Sequence, residues 1–244
     1  MKIIITESQY KLISEREDNK YMKELNAVYR LFTDKFNNRD FTQRQLITQK
    51  GFILTLSMTL NTDFGDLIVQ LTEERWAGYG QYHHDDSGVT VPKIIIYNCK
   101  FALGDENYVN HRGSETQMKK IISISGFNKQ ALKHEIIHFI DDKKNRKLNG
   151  KPDMSQKDWH NDSFEINAEF LSIMNEIRFT KDYVLPETFE DFLNSYKRFN
   201  VVTISQWENL TDKKKKSLVG RLYQYYTFLK DVFKKKKEKE ANNI

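Results

Sequence analysis

The sequence predicts an α+β protein: a small, twisted, mostly antiparallel sheet packed on one helix, with helical regions at its N- and C-terminal ends. Three observations lead there. Apolar runs of strand length gather between about residues 67 and 125. Segments whose apolar residues recur with helical period occupy both flanks. Gly and Pro are scarce, 10 and 3 among 244 residues, so long flexible linkers are absent and the chain reads as compact and largely helical.

The elements follow in order. Ile3, Ile4 and Ile5 read as a short strand, and Thr6 with Gln9 forms a capping box behind it. Residues 21–36 place Met22, Leu25, Val28, Tyr29 and Phe32 at helical spacing. Residues 43–60 continue with apolar positions that a helix would bury, so the chain up to Asp63 is expected to be mostly helical. From Asp66 the character changes. Residues 67–71 and 76–82 read as extended, Asp85 to Gly88 as a turn, and residues 89–91 and 93–97 as a returning strand of a hairpin. The polar stretch 104–116 reads as a loop, and residues 121–125 as a short strand. A helix is expected over 129–144 with Asn128 as its N-cap. A polar loop containing Trp159, His160, Asn161 and Asp162 precedes a helix that begins at Ser163. Pro186 opens a helix over 187–199. Residues 211–237 form a long amphipathic helix with Leu218, Leu222, Tyr225, Tyr226, Leu229 and Phe233 on its core side. The expected organisation is a helical N-terminal region (1–63), a central core (64–182) and a helical C-terminal region with a basic tail (183–244).

The chemistry concentrates at His134-Glu135-Ile136-Ile137-His138, an H-E-x-x-H pattern inside an apolar helical segment. Histidines four apart share one helix face, so both imidazoles can reach one metal ion. The glutamate between them is then placed to act as general base on a metal-activated water. With six histidines in the chain, such a pattern arises by chance in about one chain in a hundred. Ile136, Ile137, Phe139 and Ile140 bury the surroundings, and polar groups in such a place need partners that a metal would supply.

A catalytic zinc takes three protein ligands and keeps one open position. Asp142 lies about 6 Å beyond His138 along the helix axis and Asp141 about 4.5 Å, too far for a short carboxylate to close on the same ion. Asp141 is therefore expected to support a ligand or the fold, and Asp142 to be solvated. Glu165 and Glu169 are one turn apart on the next helix, so one can bind the metal while the other accepts a hydrogen bond from a ligating histidine. Ala168 would let the two helices approach closely. A glutamate pair on a wet helix face is the bland alternative. His160 lies five residues before Glu165 and could donate to a tetrahedral oxyanion, or be an ordinary loop histidine. His83, His84, Asp85 and Asp86 could hold a second metal, but adjacent side chains diverge and a solvated turn fits them better.

These residues resemble the gluzincin group of zinc metallopeptidases, in which H-E-x-x-H is followed by a helical glutamate and an acidic residue one turn later. The longer pattern His134-Glu135-x-x-His138-x-x-Asp141-Asp142, then Glu165-x-x-Ala168-Glu169-Phe170, is similar to the anthrax-lethal-factor-like clan. Residues 159–168 also look like metallopeptidases encoded by bacteriophages, with Trp159 and His160 standing where tyrosines are often seen. The resemblance covers about forty residues. It implies a zincin-like fold, Zn2+ held by His134, His138 and Glu165, Glu135 as base, and Glu169 as the acid behind a ligand. It also implies an edge strand that pairs with extended substrate; residues 89–98 are the candidate, with an ordinary interior strand as the equal alternative.

Composition sets the outer bounds. The single Cys99 excludes internal disulfides and a cysteine-rich metal site. No secretory n-region and h-region is visible, and no apolar run approaches membrane-spanning length. The expectation is a cytoplasmic protein, or a virion component if phage-encoded. The net charge of +5 is concentrated at Lys213–Lys216 and Lys234–Lys237. These runs could touch nucleic acid, but no recognised module accompanies them and solvated helix faces explain them more simply. The function expected is a zinc-dependent metalloendopeptidase acting on protein or peptide substrate. The alternative is a non-catalytic phage structural or packaged protein that kept a zincin scaffold. Cleft walls that would set specificity fall in residues 76–84 and 105–114.

Overall fold

The computed structural model describes residues 7–48, 51–75, 80–83, 90–99, 101–109, 115–124, 126–144, 161–179, 183–199 and 201–241. Their elements run α1 (Glu7–Asn38), β1 (Thr42–Thr48), β2 (Gly51–Thr62), β3 (Gly65–Thr72), β4 (Gly80–His83), β5 (Lys93–Ile96), β6 (Phe101–Val109), β7 (Glu115–Ile124), α2 (Gly126–Lys143), α3 (Ser163–Phe179), α4 (Phe189–Lys197), α5 (Val201–Asn209) and α6 (Asp212–Ala241). The protein is α+β, as expected. It divides into two compact units: Lys23–Arg146, and Met1–Met22 with Lys147–Ile244. Among the described residues, no helix is long and apolar enough to cross a membrane.

In the first of these units the sheet runs β1-β2-β3-β5-β4. All pairs are antiparallel except β3 with β5. Its buried face is written in the sequence with period two. Leu54, Leu56, Met58 and Leu60 of β2, Leu67, Val69 and Leu71 of β3, and Ile94 and Ile96 of β5 are all buried. Register aligns them across the strands: Leu56 opposes Leu71, Met58 opposes Val69, and Val69 and Leu71 oppose Ile94 and Ile96. The β2–β3 turn is closed by Thr62, whose hydroxyl donates to the Gly65 carbonyl (2.6 Å) and accepts from the Phe64 amide (3.1 Å). Gly65 sits at φ 103°, a conformation a side chain would strain.

Helix α2 packs against β4 and β5. Every residue from Leu132 to Asp141 is buried, so the helix is enclosed on all sides rather than along one stripe. Phe139 meets Phe64 and Tyr82 edge-on, at ring-centroid distances of 6.2 and 6.1 Å. Strands β6 and β7 form a separate antiparallel ribbon with a register shift at Ala102/Leu103. Helix α1 carries the expected stripe, with Met22, Leu25, Val28 and Phe32 buried.

The second unit is helical over its described residues. Helix α4 is capped by Thr188, whose hydroxyl accepts from the Asp191 amide (3.2 Å). Helix α6 buries Leu218, Leu222, Tyr225, Tyr226 and Leu229, as its periodicity predicts, and leaves Phe233 half-buried. Tyr226 donates to the Pro186 carbonyl (3.0 Å), tying α6 to the segment that opens α4.

Several expectations are corrected. Residues 43–48 and 51–60 are not helical; they belong to the hairpin β1–β2, so among the described residues the region 1–63 is helical only as far as Asn38. The strict alternation from Leu54 to Leu60 is the stronger signal there, and the helix-compatible spacing within it is incidental. The supposed loop 104–116 lies mostly in β6 and β7. This ribbon sets Asp105 opposite Lys119 in register, and its polar sequence lacks the apolar alternation that marks a half-buried strand. Helix α2 begins at Gly126, which puts Asn128 inside its first turn rather than at its cap. Residues 93–96 form an interior strand, flanked by β3 and β4, which is the alternative left open for residues 89–98; the terminal strands of the described sheet are β1 and β4. The strand at 3–5, the Thr6 cap and the turn at 85–88 lie outside the described residues.

Candidate functional site

The candidate site begins on α2. His134 and His138 expose 9% and 7% of their surfaces, and their Nε2 atoms are 3.1 Å apart. The rings meet at 72° with centroids 4.8 Å apart, one helical turn along the same face. That face continues to Asp141, which is fully buried. Around the helix a second stripe carries Glu135, Phe139 and Asp142, spaced four and three residues apart, toward β4.

Strand β4 meets this second stripe with alternate residues. Tyr82 donates from its hydroxyl to Asp142 Oδ2 at 2.7 Å and lays its ring against Phe139. Burial, the Asp142 hydrogen bond and the Asp142 charge together hold the Tyr82 phenol above its ordinary range. Asp142 is therefore bonded, not solvated as helix geometry alone suggested. Two residues earlier, Gly80 abuts Glu135. A Cβ at position 80 would stand 2.6 Å from Glu135 Oε1 and 2.8 Å from its Cγ. Glu135 itself exposes only 8%. On the same strand, Gln81 Oε1 accepts from the Tyr97 hydroxyl at 3.2 Å. His83, at the end of β4, is exposed; its pKa is lowered by partial burial and by Lys93. Its neighbours His84, Asp85 and Asp86 lie outside the described residues.

The acidic pair lies on α3. Glu165 is half-buried in the first turn, where the positive end of the helix favours a carboxylate. The start of the helix is pinned. Asp162 Oδ1 accepts from the Phe164 amide at 2.7 Å. Asn161 donates to the Asn209 carbonyl (2.9 Å) and accepts from the Thr211 amide (2.8 Å), clamping the entry of α3 to the α5–α6 junction. Glu169 exposes 3% and accepts from the Thr203 hydroxyl at 2.7 Å. Arg221 donates to Asn167 Oδ1 (2.9 Å) and lies 3.9 Å from the Phe170 ring centroid. Tyr196 is buried beside this cluster, and its phenol is raised by burial and the Glu169 charge, against a smaller opposing effect of Arg221. Sequence reading did not anticipate Thr203 as a partner of the acidic helix, since it lies in no motif, nor the clamp that Asn161, within the 159–168 run, makes on the α5–α6 junction.

The two histidines lie in the first unit and Glu165 in the second; among the described residues these three are the donors that could serve a metal ion. Cys99 is not a ligand candidate. It is buried on the strand side, donates to the Ile96 carbonyl at 3.3 Å, and has its thiol pushed up to about 12 by burial. His160, the candidate oxyanion donor, and Trp159 lie outside the described residues. Comparison with protein-family models, with curated proteins and with solved structures finds no match to this chain.

Proposed function

We propose that this protein is a zinc-dependent metalloendopeptidase of zincin-like fold, with His134, His138 and Glu165 as metal ligands and Glu135 as general base. One observation carries the reading: two nearly buried imidazoles present their Nε2 atoms 3.1 Å apart, on a helix enclosed on every side. Two nitrogens bound to one tetrahedral zinc at about 2.0–2.1 Å lie about 3.3 Å from each other. The observed separation agrees within a few tenths of an ångström. A hydrogen bond between neutral imidazoles has a similar length, so metal content is the discriminating measurement.

The remaining donors suit the same reading. Glu165 adds a negative oxygen ligand, and a His/His/Glu set with an open fourth position is the donor chemistry of catalytic rather than structural zinc. Bound there, zinc would supply a Lewis acid that acidifies water and polarises a carbonyl. Glu135 takes the proton of the attacking water and returns it to the leaving amine nitrogen, so one carboxylate serves as base and then as acid. Asp141, buried one turn beyond His138, and Glu169, one turn beyond Glu165, are the acidic groups placed to orient ligands. The substrate in this reading is a protein or peptide.

The test is direct. Purified protein should carry about one zinc per chain and cleave a peptide library. His138→Ala should lose the metal. Glu135→Gln should keep it and lose at least about 100-fold in turnover, the scale of general-base catalysis. Wild-type protein that takes up no zinc from stoichiometric solution overturns the reading. So does a zinc-loaded Glu135→Gln variant that cleaves at the wild-type rate.

A further inference from the structure

We propose that Gly80 is a positioning residue for Glu135: its missing side chain leaves the space that the Glu135 side chain occupies, and so sets where the carboxylate sits. The inference rests on Glu135 being the base, but its physical core is independent of that role.

The geometry is specific. A Cβ at position 80 would lie 2.6 Å from Glu135 Oε1, 2.8 Å from Cγ and 3.0 Å from Cδ. Carbon atoms do not approach that closely without repulsion. Rotating the carboxylate alone moves Oε1 but leaves Cγ in place. Relief therefore requires a change of χ1, and one of the three χ1 wells is disfavoured in a helix by the preceding turn. Neither partner is free to retreat. Residues 132–141 of α2 are buried throughout. Strand β4 is held on its inner side by pairing of Gly80 with Ile96 and Tyr82 with Ile94. Two residues from Gly80, the Tyr82 hydroxyl is bonded to Asp142 at 2.7 Å, anchoring the strand to the same helix. A glycine inside a strand weakens the strand unless something needs the space, and here Glu135 fills it.

Position therefore converts to rate. A general base must be within hydrogen-bond reach of the proton it takes, and a misplacement of about 1 Å is enough to cost about 100-fold. Gly80→Ala should lower kcat about 100-fold, leave KM within about twofold, and leave zinc at about one per chain. A purely structural lesion would lower zinc content and active fraction together, without that split.

Stability supplies a second readout that needs no activity. Glu135→Ala removes Oε1, Cδ and Cγ, the three atoms nearest to a new methyl. Gly80→Ala should lower Tm by several degrees in the Glu135 protein and by less than one degree in the Glu135→Ala protein. If Gly80→Ala does not fold, the double variant should, and that rescue reports the same contact. Equal Tm losses in both backgrounds, or a Gly80→Ala enzyme with wild-type kcat, overturn the proposal. If the wild-type protein neither binds zinc nor cleaves peptides, the peptidase reading falls, while the Tm cycle still decides whether Gly80 makes room for Glu135.

Discussion

Replacing Tyr82 by Phe should destabilise the protein by about 1–2 kcal/mol. The substitution keeps the ring that meets Phe139 at 6.1 Å and removes only the hydroxyl that donates to Asp142 at 2.7 Å. A hydrogen bond to a charged acceptor is worth about 1.5–3 kcal/mol, and the partial exposure of this one places it toward the lower end. For a chain of this size, that corresponds to a fall in Tm of about 3–6 °C. Urea unfolding should show a lower midpoint with an unchanged slope. A cycle with Asp142→Asn should recover at least about 1 kcal/mol of coupling. The pH dependence has a definite sign. Folding raises the Tyr82 pKa above its ordinary value of 10.0, so its contribution is complete below pH 10 and is lost as pH rises through the raised value. The alkaline limb of the stability profile should therefore flatten in Tyr82→Phe. A loss below about 0.3 kcal/mol, or additivity with Asp142→Asn, would refute the view that this bond fastens β4 to α2.

Two other outcomes follow from buried groups. Cys99 should resist thiol reagents at pH 8 and react at least about 100-fold faster in urea, because burial raises its pKa from 9.0 to about 12; its contribution to stability is present below pH 9 and lost as pH climbs through about 12. Thr203→Val should cost about 2–3 kcal/mol by removing the hydroxyl that donates to the buried Glu169 carboxylate at 2.7 Å, while Thr203→Ser should stay within about 1 kcal/mol of wild type; equal midpoints for Val and wild type in urea unfolding would contradict this.

Where sequence reading succeeded, the physics was local. The stripes of α1 and α6 are legible because a helix face repeats every 3.6 residues whatever it packs against. The two histidines share a face for the same reason. Strand character was legible at 67–71 and 93–96, where apolar β-branched residues cluster. Reading failed where two periods were both compatible with the residues, as at 43–60, and where a ribbon is polar, as at 104–116. Pairing partners were not legible at all. No pattern in residues 66–97 says that β5 inserts between β3 and β4, because strand order is set by contacts distant along the chain.

The candidate site divides the same way. The sequence alone determined that His134 and His138 lie one turn apart, that Glu135 stands between them, and that Glu165 and Glu169 share a helix face. Helical geometry links those residues over four positions, and nothing distant can alter it. Only the tertiary structure decided that the imidazole nitrogens are 3.1 Å apart inside a fully enclosed helix, that Asp142 is bonded to Tyr82, and that Gly80 leaves room for Glu135. The last two of these relations join residues more than fifty positions apart. They depend on where packing brings one strand against one helix, which periodicity does not encode.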